Sequence, residues 1–136
     1  MMQKFVPALI MFLSGMLLTA CQLAQPVLTT DATTFAFGEV VNGEIVTHDF
    51  VIRNDGQAPL IIESIITTCG CTTATLEPMH IPAGETGILH VAFDSGAHGP
   101  NLTGEILRQI IIASNDPNQP EAIVEITAYV IAQISD

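Results

Sequence analysis

From Thr33 onward the apolar positions of this chain recur with a period of two, and no stretch sustains a period of 3.6. THDFVIRN sets His48, Phe50 and Ile52 on one face and Thr47, Asp49, Val51 and Arg53 on the other. LIIESIITT, from Leu60, reads as the next strand. TGILHVAFD follows, with Leu89, Val91 and Phe93 alternating against Ile88, His90 and Ala92. EILRQIIIASN and EAIVEITAYVIAQI complete the series, the latter with Val124, Ile126, Ala128 and Val130 on one face. A short strand at TTFAFG and a fragment over 73–76 are added to these. Turn signals separate them: Asn54-Asp55-Gly56, which reads as a hairpin because both central positions tolerate positive φ, then Pro82-Ala83-Gly84 and Asn115-Asp116-Pro117. Residues 95–104 (SGAHGPNLTG) are a loop by composition. About seven strands at regular spacing predict an all-β, Ig-like antiparallel β-sandwich. The chain contains no Trp, so its core is built on Ile, Val and Leu with a few Phe.

The first twenty residues follow a different pattern. Lys4 precedes an apolar run, Phe5 to Ala20, and Leu18-Thr19-Ala20-Cys21 closes it. A positive start, an apolar middle and small residues before a cut describe a secretory signal. The run is short for a spanning helix, which takes about 20 residues. Its end resembles the processing box of bacterial lipoproteins, which implies cleavage before Cys21 and attachment to membrane lipid through that residue. Several acyl chains give stable anchoring, at about 0.8 kcal/mol per buried CH₂. In such lipoproteins an Asp after the Cys favours inner-membrane retention. Gln22 stands there, so the expectation is the outer membrane, facing the periplasm, in a two-membrane source. The predicted organisation is a signal peptide over 1–20, a lipidated Cys21 with a tether to residue 32, and a sandwich over 33–136.

Loss of Lys4 takes the formal charge from −11 to −12 and leaves Arg53 and Arg108 as the only Arg or Lys. Phosphate binding requires clustered Lys and Arg, so nucleic acid is excluded as a partner. No nucleophile elbow, phosphate loop or paired catalytic carboxylates are found, and the reading is non-enzymatic. The remaining chemistry sits in TTCGCTT, residues 67–73. In an exported protein Cys69 and Cys71 are expected to be oxidised or bound. Residues two apart can reach disulfide distance, and Gly70 permits the bend. So short a loop removes little unfolded-state entropy, worth about 1.6 kcal/mol. Three readings stand together: a structural turn, a redox pair, and a soft-metal site for copper. His80 is the candidate third ligand, with Met79, His90 and His98 considered beside it. His48, on an apolar face, is expected to be buried and hydrogen-bonded.

The elements FAFGEVVNGEIVTHDFVIRN, Pro59-Leu60, Cys69-Gly70-Cys71-Thr72, Gly84-Glu85 and Ser114-Asn115-Asp116-Pro117 together resemble a bacterial family, domain of unknown function 1573, over about residues 33–131. One departure is Ala83 before Gly84, where that family usually shows Pro-Gly directly. The resemblance implies an Ig-like module carried by exported lipoproteins, akin to Hydin-type ciliary domains and the major sperm protein fold. These are binding and scaffolding modules, so a protein partner in the cell envelope is expected. Gly70, Thr72, His98 and Asn101 are the candidate contact residues, at the loops closing one end of the sandwich.

Overall fold

The computed structural model describes residues 22–134, all β-strand and loop. The strands are β1 (Leu28–Thr30), β2 (Thr34–Val41), β3 (Ile45–Asn54), β4 (Leu60–Thr67), β5 (Thr72–Glu77), β6 (His80–Ile81), β7 (Thr86–Asp94), β8 (Gly104–Ser114) and β9 (Glu121–Ile131). They form two sheets, ordered β1-β3-β7-β5 and β2-β9-β8-β4-β6. The alternating apolar faces meet between them. Phe50, Ile52, Leu89, Val91 and Phe93 from the four-stranded sheet pack with Leu60, Ile110, Ile112, Val124, Ile126 and Val130 from the five-stranded one. The sandwich and its Ile/Val/Leu core follow the period-two pattern closely.

The connectivity differs from what the turn signals suggest. Among the described residues only β8 and β9 are both consecutive and paired; every other connection crosses from one sheet to the other. Asn54-Asp55-Gly56 is therefore a corner, not a hairpin. Gly56 lies outside the positive-φ region, and its role is steric. A Cβ there would fall 2.2 Å from the Gln25 carbonyl oxygen and 2.6 Å from the Val27 nitrogen. The glycine admits the 25–27 backbone, whose Gln25 carbonyl accepts from the Gln57 and Ala58 amides.

That segment corrects the expected tether. β1 pairs antiparallel with β3 and buries Leu28, so the folded unit begins before residue 33. The fragment expected over 73–76 is a strand one residue longer at each end, Thr72–Glu77. The parallel pairing of β2 with β9 was not expected; it carries an irregularity between Ala36 and Glu39 where Gly38 takes φ +75°. The signal segment and Cys21 lie outside the described residues.

Buried side-chain amides and carboxylates fix the corners. Asn54, fully buried, accepts from the Val27 and Gly56 amides and donates to the Ala58 and Ile81 carbonyls. Asp116, also buried, accepts from the amides of Leu28, Asn118 and Gln119. Asn115 accepts from the Ile61 amide and donates to the Pro59 carbonyl. Each group satisfies a backbone partner that a corner between sheets leaves without a ladder bond.

Candidate functional site: the disulfide end of the sandwich

Three loops close one end of the molecule: β2–β3, β4–β5 and β7–β8. The β4–β5 loop carries Cys69 and Cys71, joined by a disulfide with Cα atoms 5.2 Å apart. Cys71 is anchored from both sides. Its carbonyl accepts from the Asp94 amide, and its own amide donates to the Cys69 sulfur at 3.2 Å. It is 2% exposed, whereas Cys69 is half-buried, so one sulfur faces the core and the other the rim. The Thr72 amide donates to the Cys69 carbonyl and tightens the turn. Gly70 is exposed, is not in the positive-φ region, and a Cβ on it would meet nothing within 4 Å. Gly70 was expected to permit the bend, and neither its φ nor its surroundings demand glycine there.

Two side chains converge on the sulfurs. His98 Nε2, from the β7–β8 loop, lies 3.1 Å from Cys69 Sγ. Arg108 Nε–H, from β8, donates to Cys71 Sγ at 3.2 Å, and its Nη1 donates to the Leu107 carbonyl. Arg108 shares the inward parity of Ile106, Ile110 and Ile112, so a cation enters the intersheet space beside the disulfide. The alternation in EILRQIII carried this signal; assigning faces along that strand would have exposed it.

The His98 loop is built, not slack. Asn42, buried in the β2–β3 turn, places Nδ2 3.0 Å from the Gly99 and Leu102 carbonyls and 3.3 Å from that of Ser95. The Ser95 hydroxyl reaches the Val41 and Glu44 carbonyls, and the Asp94 carboxylate accepts from the Gly96 amide. A Cβ on Gly96 would lie 3.0 Å from Gly43 Cα, so the two turns touch.

Other candidate residues fall elsewhere. His80 is on β6, paired opposite Ile61 at the start of β4. The run from Ile61 to Thr67 spans roughly 20 Å. His80 and Met79 therefore belong to the opposite end and cannot join the cysteines; His98 takes the place expected of His80. Thr72 is buried against the core and offers no contact surface, while Gly70, His98 and Asn101 are exposed. His90 is exposed and pairs with Asp49 across β3 and β7. His48 is half-buried and stacked on Phe35 at 3.6 Å between centroids, with Phe50 edge-on at 4.7 Å. Ring packing holds it, where a buried hydrogen bond was expected.

A second surface stands out on the outer face of the five-stranded sheet. Ile66, Ile111 and Ile123 are in direct register across β4, β8 and β9. Beyond a hydrogen-bonded Gln109–Glu125 pair lie Leu107, Thr127 and Tyr129, around an open concavity of about 610 Å³ floored near Ala36 and Gly38. Ile66, Leu107, Tyr129 and Ile123 are 45–56% exposed.

A family model described as protein of unknown function (DUF1573) matches residues 28–130. The chain belongs to this family. The DUF1573 match begins at β1, in accord with the paired position of that strand. The chain is similar to a protein of unknown function from Porphyromonas gingivalis W83, with 27% identity and a TM-score of 0.68 over 81% of this chain. It spans half the length of that protein. The ASH/PapD-like domain 7 of human CEP192 shares the fold at 9% identity and TM-score 0.60, covering 81% of this chain and 89% of that one. The E. coli chaperone DraB does so at 12% and 0.55, covering 81% and 58%. At these identities the last two likenesses show the fold alone. No curated protein matches the sequence.

Proposed function

We propose that the protein is an exported lipoprotein, anchored through Cys21, whose Ig-like domain docks a protein partner of the cell envelope and performs no catalysis. The observation that carries the docking half is the in-register row Ile66, Ile111, Ile123 on a sheet face open to water. An antiparallel sheet with one solvated face alternates apolar-in with polar-out. Here the outward row is apolar across three strands, and past the Gln109–Glu125 pair Leu107 and Tyr129 form a second apolar group on the same face. Exposed apolar patches of this kind mark interaction sites. The same face carries Glu105, Glu121 and Glu125 and no Arg or Lys, so the partner's complementary surface is apolar with Lys or Arg at its margin. The likeness to PapD-like domains supplies a fold on which such sheet surfaces are available, and nothing more specific.

The test is a double variant, Leu107→Thr/Ile123→Thr, in the full chain in its own envelope. Both positions are exposed, so folding should change by about 0.5 kcal/mol or less per site. The expected result is loss of a discrete native complex, with secondary structure and membrane attachment unchanged. A complex that survives would overturn the docking face. The anchor is tested separately by metabolic labelling with an alkyne fatty acid. Label should enter the wild-type chain and not Cys21→Ala; equal labelling would refute it.

A further inference from the structure

The disulfide end holds a combination that the docking face does not use: two sulfurs, an imidazole and a buried-side guanidinium. We propose that, when its disulfide is reduced, the protein binds one Cu(I) ion through Cys69 Sγ, Cys71 Sγ and His98 Nε2, with Arg108 as counter-charge.

Geometry supplies the first argument. The three ligand atoms lie within 4.8 Å of one another, brought together from two different intersheet loops. Their supports are unequal in a useful way. Cys71 is fixed to β7 by its carbonyl, and His98 sits in a loop that Asn42 and Ser95 pin. Cys69 is on the rim beside the exposed Gly70, whose surroundings are open for 4 Å. Cys69, half-buried at the edge of the core, is the sulfur with a solvent side on which to separate from Cys71 once the bond is cut.

Chemistry supplies the second. Two thiolates and an imidazole, with no carboxylate in the cluster, form a soft donor set that suits Cu(I) and disfavours Mg²⁺ or Ca²⁺. Charge then separates Cu(I) from zinc. Two thiolates with Cu⁺ carry net −1, which the Arg108 guanidinium in contact with Cys71 Sγ offsets. Two thiolates with Zn²⁺ are already neutral and would leave that guanidinium beside an uncharged centre. A structural zinc site also takes four protein ligands, and this cluster supplies three.

A dithiol reductant attacks the disulfide, gives up two electrons and two protons to the two sulfurs, and leaves as its own disulfide. Cu⁺ then displaces the two thiol protons to solvent.

The test uses the full chain in detergent with Cys21→Ser, so that Cys69 and Cys71 are the only thiols. The protein is reduced under anaerobic conditions, freed of reductant, and titrated with Cu(I) against a chromophoric Cu(I) chelator. One equivalent per chain is expected in the reduced form and none in the oxidised form. His98→Ala, at an exposed position, should weaken binding at least tenfold, and Cys69→Ser should abolish it. Copper left entirely with the chelator would overturn the site. Binding unchanged by His98→Ala would overturn the three-ligand assignment. Zn²⁺ outcompeting Cu(I) in a mixed titration would overturn the role given to Arg108.

Discussion

Asn42 carries a structural burden out of proportion to its size. One buried carboxamide nitrogen serves carbonyls of Ser95, Gly99 and Leu102 and so holds the loop that presents His98. Asn42→Ala would leave those acceptors without their donor, at about 1–3 kcal/mol. The expected outcome is a destabilisation of that size in urea unfolding, with faster amide exchange confined to residues 95–104. Gly70 makes the opposite case. Its open surroundings predict that Gly70→Ala folds with the disulfide intact and with stability within about 0.5 kcal/mol of wild type, checked by intact mass and melting. A large loss would mean that the turn depends on glycine after all.

The strands themselves were legible because a half-buried strand has only one way to distribute apolar residues, and Leu89, Val91, Phe93, Val124, Ile126 and Val130 obey it. The connections were not. An Asn-Asp-Gly turn looks the same in sequence whether it returns to the neighbouring strand or crosses to the other sheet, and here Gly56 serves close packing against Gln25 and Val27. β1 was missed for a related reason: three residues are too few to show a period, and Leu28 alone marks the burial. Gly56→Ala should accordingly cost more than Gly70→Ala, by about 2–3 kcal/mol, with protease cleavage appearing near residues 25–30. The cluster at the disulfide end was half legible. The CGC spacing identified the sulfurs, but the choice among four histidines needed the fold, because His98 lies 29 positions beyond Cys69 and reaches it only through the crossing of β7 to β8.

The attachment of β1 also has a pH dependence. Asp55 is held below the ordinary aspartate value near 3.8, first by the Thr29 hydroxyl and then by Arg53. A depressed carboxyl stabilises the folded form above its unfolded value and loses that contribution as pH falls through the folded one. β1 is therefore expected to keep its protection down to about pH 4 and to fray below it. Exchange of the Asp31 amide, which donates to the Val51 carbonyl, reports this, and an Asp55→Asn chain should show the frayed rate already at neutral pH.

At the scale of the molecule, the two ends and two faces divide the work. The end bearing Asn54, Asn115 and Asp116 is a set of satisfied backbone corners, so several of the family's motif residues are explained by folding alone. The disulfide contributes little to that stability. Closing so short a loop is worth at most about 1.6 kcal/mol, so reduction should lower the melting temperature by no more than roughly 10 °C and leave the sandwich folded. A collapse of the fold on reduction would show that the bond is a structural staple. The charge of the chain sets the terms for the proposed partner. With 14 acidic residues against three basic ones, association with a Lys- or Arg-bearing surface should weaken as ionic strength rises.

Site-specific photo-crosslinking in the native envelope tests the docking face. A photoreactive residue at Leu107 on the five-stranded sheet is compared with one at Thr75, exposed on β5 of the other sheet. A discrete adduct to one protein from Leu107, absent from Thr75, is the predicted result. Adducts from Thr75 and none from Leu107 would contradict it and move the interaction to the other sheet.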